Sequence, residues 1–200
     1  MRKLLLAATA VMLLLAGSCV VSPSLVFMES QTEGLPNLIF NPGFNPYSLD
    51  PATALKGWMV DHDPPDIKES NVVIDTNVAL NGKTSLRIDA SKHATIIISD
   101  SFDVMRYGGY FIKANVRTDS KDNPDIVLRF ISFKENGKVY NRIKSKIRPT
   151  EDWTQGTISA GFIKPGVSFG RVAIMVSPFK DGSVWIDDVG CWKVHHFRID

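Results

Sequence analysis

From Leu35 to Val194 no stretch of this chain keeps a helical period. Apolar residues alternate with polar ones or gather in short runs, and Gly, Pro, Asn and Asp punctuate them. Strands are expected at 37–40, 71–75, 84–90, 95–99, 110–118, 126–134, 139–147, 154–162, 170–177 and 183–194. Turn dipeptides separate several of them: Asn81-Gly82, Asn136-Gly137, Pro165-Gly166 and Asp181-Gly182. Many short strands with regular turn signals predict an all-β sandwich or barrel. The full sequence of 200 residues suffices for one such domain. With 44% hydrophobic and 22% charged residues it has the composition of a folded globular chain.

The period of two assigns faces. In 110–118, Tyr110, Ile112, Ala114 and Val116 should point into the core, leaving Phe111, Lys113, Asn115 and Arg117 outward. In 170–177, Val172, Ile174 and Val176 should face inward and Arg171, Ala173 and Met175 outward. The 126–134 segment is apolar in both alternating sets, so its second face is either covered or lines something that takes apolar contact.

The first eighteen residues read as an export signal: Arg2 and Lys3, then an apolar run from Leu4 to Leu15, then Ala16-Gly17-Ser18. Leu15-Ala16-Gly17-Ser18-Cys19 resembles a bacterial lipobox, which makes Cys19 the expected lipidation site and a membrane anchor. Ala16 and Ser18 also satisfy the small-x-small rule of ordinary cleavage, so a secreted product is the alternative. An uncleaved anchor fits less well, because Gly17 and Ser18 interrupt an apolar stretch already short for a span. Residues 19–34 read as a tether carrying a short apolar patch, 25–28, that could lie against the domain. Residues 195–200 read as a frayed tail. With only Cys19 and Cys191 present, lipidation of the first leaves the second as a buried small hydrophobe.

Charge excludes one partner class. Removing Arg2 and Lys3 from the 23 basic residues makes them equal in number to the 21 acidic ones, so no basic field favours nucleic acid.

Two motifs bracket the 35–194 domain. N-L-I-F-N-P-G-F-N (Asn37 to Asn45) is followed by Gly57-Trp58, and G-S-V-W-I-D-D-V (Gly182 to Val189) stands near the end. Between them come S-L-R-I (Ser85 to Ile88), Y-F-I-K-A-N-V-R-T (Tyr110 to Thr118) and D-W-T-Q-G-T-I (Asp152 to Ile158). In this order and spacing the set resembles the jelly-roll carbohydrate-binding modules of families four, nine and twenty-two, within the galactose-binding-like β-sandwiches. The resemblance implies a two-sheet antiparallel jelly roll whose first and last strands lie close together. It also implies a glycan, a polysaccharide or oligosaccharide, lying along a concave sheet face. In such modules an acidic residue ending N-P-G-F and the aspartate of the last motif help to hold a structural calcium. Here those places hold Asn45 and Asp187, and the amide weakens the site because calcium favours charged oxygen ligands.

No nucleophile elbow or zinc spacing is present, and Asp61-His62-Asp63 reads as part of a solvated loop. Paired carboxylates for glycoside hydrolysis cannot be placed: Asp187 and Asp188 are neighbours that a regular strand would turn to opposite faces, and Glu135, Glu151 and Asp152 flank strands. The expectation is therefore a non-catalytic protein. Trp58, Trp153, Trp185 and Trp192 read mostly as packing residues. Ligand-facing candidates are the outward residues Phe111, Lys113, Asn115, Arg129, Phe133 and Arg171, with Tyr140 beyond the Asn136-Gly137 turn. The expected function is glycan binding at the bacterial cell envelope, with any glycan-active enzyme a separate protein. The rival is an envelope lipoprotein with the same fold, a structural or protein-interaction role and no sugar site.

Overall fold

The computed structural model describes residues 25–46, 55–65 and 71–198. The expected export signal and Cys19 lie outside them. Eleven strands follow a single 3-10 turn at Glu29–Thr32: β1 (Trp58–Asp63), β2 (Val72–Asp75), β3 (Ser85–Ser91), β4 (Ala94–Ser99), β5 (Phe102–Asp103), β6 (Gly108–Thr118), β7 (Ile126–Phe133), β8 (Val139–Ile147), β9 (Thr154–Ala160), β10 (Phe169–Val176) and β11 (Phe179–His196). They form two antiparallel sheets. A six-stranded sheet runs β1-β4-β10-β7-β8, with β5 also paired to β10, and a five-stranded sheet runs β2-β3-β11-β6-β9. The strand pattern left a sandwich or a barrel open; the fold is the two-sheet antiparallel jelly-roll sandwich that the resemblance implies.

Alternation builds the core. Tyr110, Ile112, Ala114 and Val116 of β6 meet Leu128 and Phe130 of β7 and Val172, Ile174 and Val176 of β10 in one buried cluster, which also takes in Leu86, Ile88 and Ile186. The Tyr110 and Phe130 rings stack across the two sheets at 6.0 Å.

The bracketing motifs meet as expected, through hydrogen bonds and not through a strand. Residues 37–40 form no regular strand, because Asn37 takes over the pairing: its Oδ1 accepts from the amides of Ile39 and Cys191, both at 3.0 Å, and its Nδ2 donates to the Val189 carbonyl. The Leu38 amide donates to the Cys191 carbonyl, and that of Val189 to the Pro42 carbonyl. Asn41 and Phe44 sit at positive φ, which folds N-P-G-F into a knot over the buried Trp58. There the Trp58 indole donates to the Asn41 carbonyl at 2.9 Å, and the Phe44 ring packs at 4.9 Å. Gly57 is required at this knot: its φ is +93°, and a Cβ would lie 2.6 Å from the Phe40 ring.

Two expectations fail locally. Asp61-His62-Asp63 is not loop but the end of the edge strand β1, where exposed charged residues guard an open edge. The 195–200 tail begins too early, since His195 and His196 still pair with Gly109 and Gly108 of β6. A third expectation holds: the apolar patch of the 19–34 tether lies against the domain, docked from Phe27 onward. The Phe27 ring is buried in the space left by Gly109, beside His195, and its amide donates to the Ser159 hydroxyl at 2.8 Å.

Candidate functional site

The outward residues singled out above fall on opposite sides of the sandwich. Strands β6 and β7 are consecutive in sequence, but the connection between them crosses from one sheet to the other. Phe111, Lys113 and Asn115 are outward as expected, yet on the five-stranded sheet, where they are covered. Phe111 is 3% exposed and packs against Trp192. Lys113 Nζ donates to Asp188 Oδ2 at 2.6 Å and to Glu29 Oε1 at 2.8 Å, and Asn115 donates to the same Asp188 oxygen. The docked N-terminal segment and the Asp188 bulge thus consume the groups that were to meet a ligand. Burial opposes the charge on Lys113, but the two carboxylates outweigh it and raise its pKa.

Arg129, Phe133 and Arg171 lie together on the outer face of the six-stranded sheet. Tyr140 stands at its β8 edge beside a bulge, with the Lys134 ammonium 5.8 Å from its ring. It borders a hollow of ≈ 360 Å³ shared with Asn141, Phe162 and Lys164. Register fills in the rest of the face, because directly paired residues share a side. One row runs Met59, Ile98, Ala173, Arg129, Lys144, and the next runs Arg171, Ile131, Arg142. A third runs Asp103, Phe169, Phe133, Val139, in which the two Phe rings stack in parallel with centroids 4.9 Å apart. No described element packs over this face. It is a broad apolar strip with cations on β7, β8 and β10.

Sequence reasoning missed Phe169, because the strand was expected to begin one residue later. It also missed the β8 cations, although Arg142, Lys144 and Lys146 alternate with Ile143, Ser145 and Ile147 in the sequence. Hollows of larger volume lie away from this face. One of ≈ 510 Å³ is bordered by Ala90, Ser91, Lys92, Pro178 and Phe179. Another, of ≈ 460 Å³, is bordered by Leu35, Leu38, Val104, Met105 and Tyr110. A sheet surface that binds an extended chain needs no enclosed cavity, so volume does not decide the site.

The structure places Asn45 and Asp187 on the same side of Gly43: a Cβ on that glycine would lie 3.7 Å from Asn45 Nδ2 and 3.7 Å from Asp187 Oδ1. Asp187 is fully buried, yet by register it belongs to the outward set, paired with Asn115. The following bulge, with Asp188 at φ +48°, sends both carboxylates to one side and not to opposite sides. Asp187 Oδ2 accepts from the amides of Leu80 and Asn81, and its Oδ1 from that of Asp188. Burial raises the Asp187 pKa against the pull of these amides. Beside it Thr84 Oγ1 donates to the Gly43 carbonyl at 2.9 Å and to Asn45 Oδ1 at 3.3 Å. The donors are all oxygens, which suits a hard cation, but only one is a carboxylate.

No carboxylate pair is set up for hydrolysis among the expected residues. Asp187 is closed by amides and Asp188 is ion-paired, while Glu135, Glu151 and Asp152 are exposed in loops. Cys191 is buried, and desolvation pushes its thiol far above the ordinary range, so it is inert. Among the described residues no cluster of His, Cys, Asp and Glu is built for a metal, and no helix is long and apolar enough to cross a membrane.

No family model matches the sequence, and no curated protein is significantly similar to it. Solved structures share its fold. A family 61 carbohydrate-binding module in complex with β-1,4-galactotriose aligns with TM-score 0.59 at 16% identity, over 79% of this chain and 99% of that one. The xylan-binding family 22 module from a Paenibacillus barcinonensis protein aligns with TM-score 0.52 at 14% identity, over 78% and 93%. The enzymatically active domain of a bacteriophage tailspike protein aligns with TM-score 0.60 at 12% identity, over 78% of this chain and 21% of that one. The fold is therefore the β-sandwich jelly roll of carbohydrate-binding modules.

Proposed function

We propose that the protein is a non-catalytic glycan-binding module, exported and held at a bacterial envelope through lipidated Cys19, with the outer face of the six-stranded sheet as its sugar surface. The observation that carries the reading is the half-buried Phe133–Phe169 stack, which stands among Ile131, Arg129 and Arg171 on a sheet face that no described element packs over. A solvated sheet face is expected to be polar. Apolar side chains with Arg on their rim suit a ligand that has an apolar ring face and a hydroxyl edge. The folds of modules that bind galactotriose and xylan support the same reading. We also propose that Asn45 and Asp187, with the Gly43 carbonyl, take a calcium ion of modest affinity that ties the N-P-G-F knot to β11.

Affinity for a glycan should be about 4–8 kcal/mol, micromolar to millimolar, because sugar hydroxyls lose water on binding. Phe133→Ala tests the site by affinity electrophoresis against soluble polysaccharides. Loss of the ring should weaken binding about tenfold or more. It should cost about 1 kcal/mol of stability through the lost Phe169 stack. If no polysaccharide retards the wild type, the face serves protein contact and the interaction-protein reading takes its place.

A further inference from the structure

The near-zero net charge of this protein hides a separation between its two faces. On the five-stranded side the acids are used up. Asp75 accepts from Trp185 and Arg87, Asp89 pairs with Arg87, Asp188 and Glu29 share Lys113, and Asp187 takes three amides. On the outer face of the six-stranded sheet the cations have no such partners. Arg129 is directly opposite Lys144, Arg142 follows two residues before Lys144 on β8, and Arg171 shares the row of Ile131 and Arg142. None of these four makes an ion pair within the described residues. The neighbouring Lys146 reaches only Asp125, at 3.8 Å. Two acids of this face, Asp61 and Asp63, are on β1, three strands from β7 and so about 14 Å away at ordinary strand spacing. Asp103, directly opposite Phe169 on β5, is diagonal to Arg171 but forms no ion pair with it among the described residues.

Like charges placed directly across a strand pair are destabilising. The Arg129–Lys144 pair therefore works against the sheet it sits on, and an anion bridging the two cations reverses that repulsion. Carboxylates are the natural complement, since guanidinium groups bind them through paired hydrogen bonds. We propose that the ligand of this face is an acidic glycan, a polymer carrying uronate or similar anionic sugars. Its carboxylates would lie on Arg129, Lys144, Arg142 and Arg171, and its ring faces on the Phe133–Phe169 strip. This inference rests on the glycan-binding reading and names the substrate class of that same site.

The test compares polygalacturonate and alginate with neutral β-1,4-galactan and xylan, and with polyglutamate as a polyanion that has no sugar ring. The wild type should bind the uronate polymers at least about tenfold better than the neutral ones. Raising NaCl from about 0.05 M to about 0.5 M should erase most of that advantage, because exposed charges are screened over a few ångströms at high salt. Lys144→Gln should weaken uronate binding about tenfold while leaving the melting temperature unchanged or higher, since it relieves a like-charge pair. Arg142→Gln, on the same exposed strand, provides a second variant. Galactan or xylan binding that is insensitive to salt and to both variants would overturn the acidic class but leave glycan binding standing. Binding of polyglutamate as tight as that of polygalacturonate would refute the proposal by reducing the face to charge alone. A wild type that binds no polysaccharide would remove both.

Discussion

Replacing Asn37 with Ala should unfasten the entry of the chain from its last strand, and the structure sets the size of the effect. The side chain makes three hydrogen bonds: it accepts from the amides of Ile39 and Cys191 at 3.0 Å and donates to the Val189 carbonyl at 3.2 Å. Ile39 and Cys191 are buried, so their amides would find no water in exchange. An amide left unsatisfied costs about 1–3 kcal/mol, and the longer bond to Val189 adds less. The Leu38 and Val189 amides keep their own bonds across the same seam, which holds the segment in place and limits the damage. The expected loss is about 3–5 kcal/mol. At about 2–4 °C per kcal/mol for a domain of this size, the melting temperature should fall by about 6–20 °C. Asn37→Asp keeps both acceptor bonds and loses only the donor, so it should fall between Ala and wild type. Thermal unfolding followed by the fluorescence of Trp58 and the other indoles reads the shift. An Ala variant within about 2 °C of wild type would refute the reasoning, since the three bonds would then be replaceable.

Further outcomes follow from other parts of the molecule. The Glu29 carboxyl is held below its usual value by its hydrogen bonds with Lys113 and Gln155. A depressed carboxylate stabilises above its unfolded pKa and loses that contribution as pH falls through the folded one. Protection of the Phe27 amide should therefore be constant above about pH 4.5 and drop below it, while unchanged protection down to about pH 3 would count against Glu29 holding the N-terminal segment in place. If calcium ties the N-P-G-F knot to β11, chelator should lower the melting temperature and added calcium restore it, by about 2.7 kcal/mol at a hundredfold excess over Kd. No shift with chelator would leave the amides on Asp187 as the whole of that tie. Cys19→Ser should move the protein from the membrane fraction to the soluble one, because stable anchoring takes two or more acyl chains. Wild-type protein that is soluble, with Cys19 open to thiol reagents, would favour the secreted alternative.

What the sequence determined by itself is everything that depends on local chemistry and parity. Alternation in 110–118 and 170–177 placed Tyr110, Ile112, Val172 and Ile174 in the core, as the structure has them. Beyond parity, the family resemblance carried by the two terminal motifs implied that the beginning and end of the domain lie side by side. Parity also put Phe111, Lys113 and Asn115 on an outward face, correctly, but a period of two does not say which sheet a strand joins. That was decided by the crossing between β6 and β7, so residues expected to line one surface lie on two. One of those surfaces is closed by Phe27 and Glu29, some eighty residues away in sequence, and no local pattern in 110–118 carries that information. The bulge at Asp188, at positive φ, is likewise met by distant partners: Lys113 and Asn115 take up its carboxylate, and the loop bearing Leu80 and Asn81 takes up that of Asp187. The cationic strip is the same kind of fact. Parity marked Arg129 and Arg171 as outward, but Arg142 and Lys144 drew no notice, and only the pairing of β7 with β8 and β10 sets the four together on one face, because long-range register is fixed by the packing of the whole core.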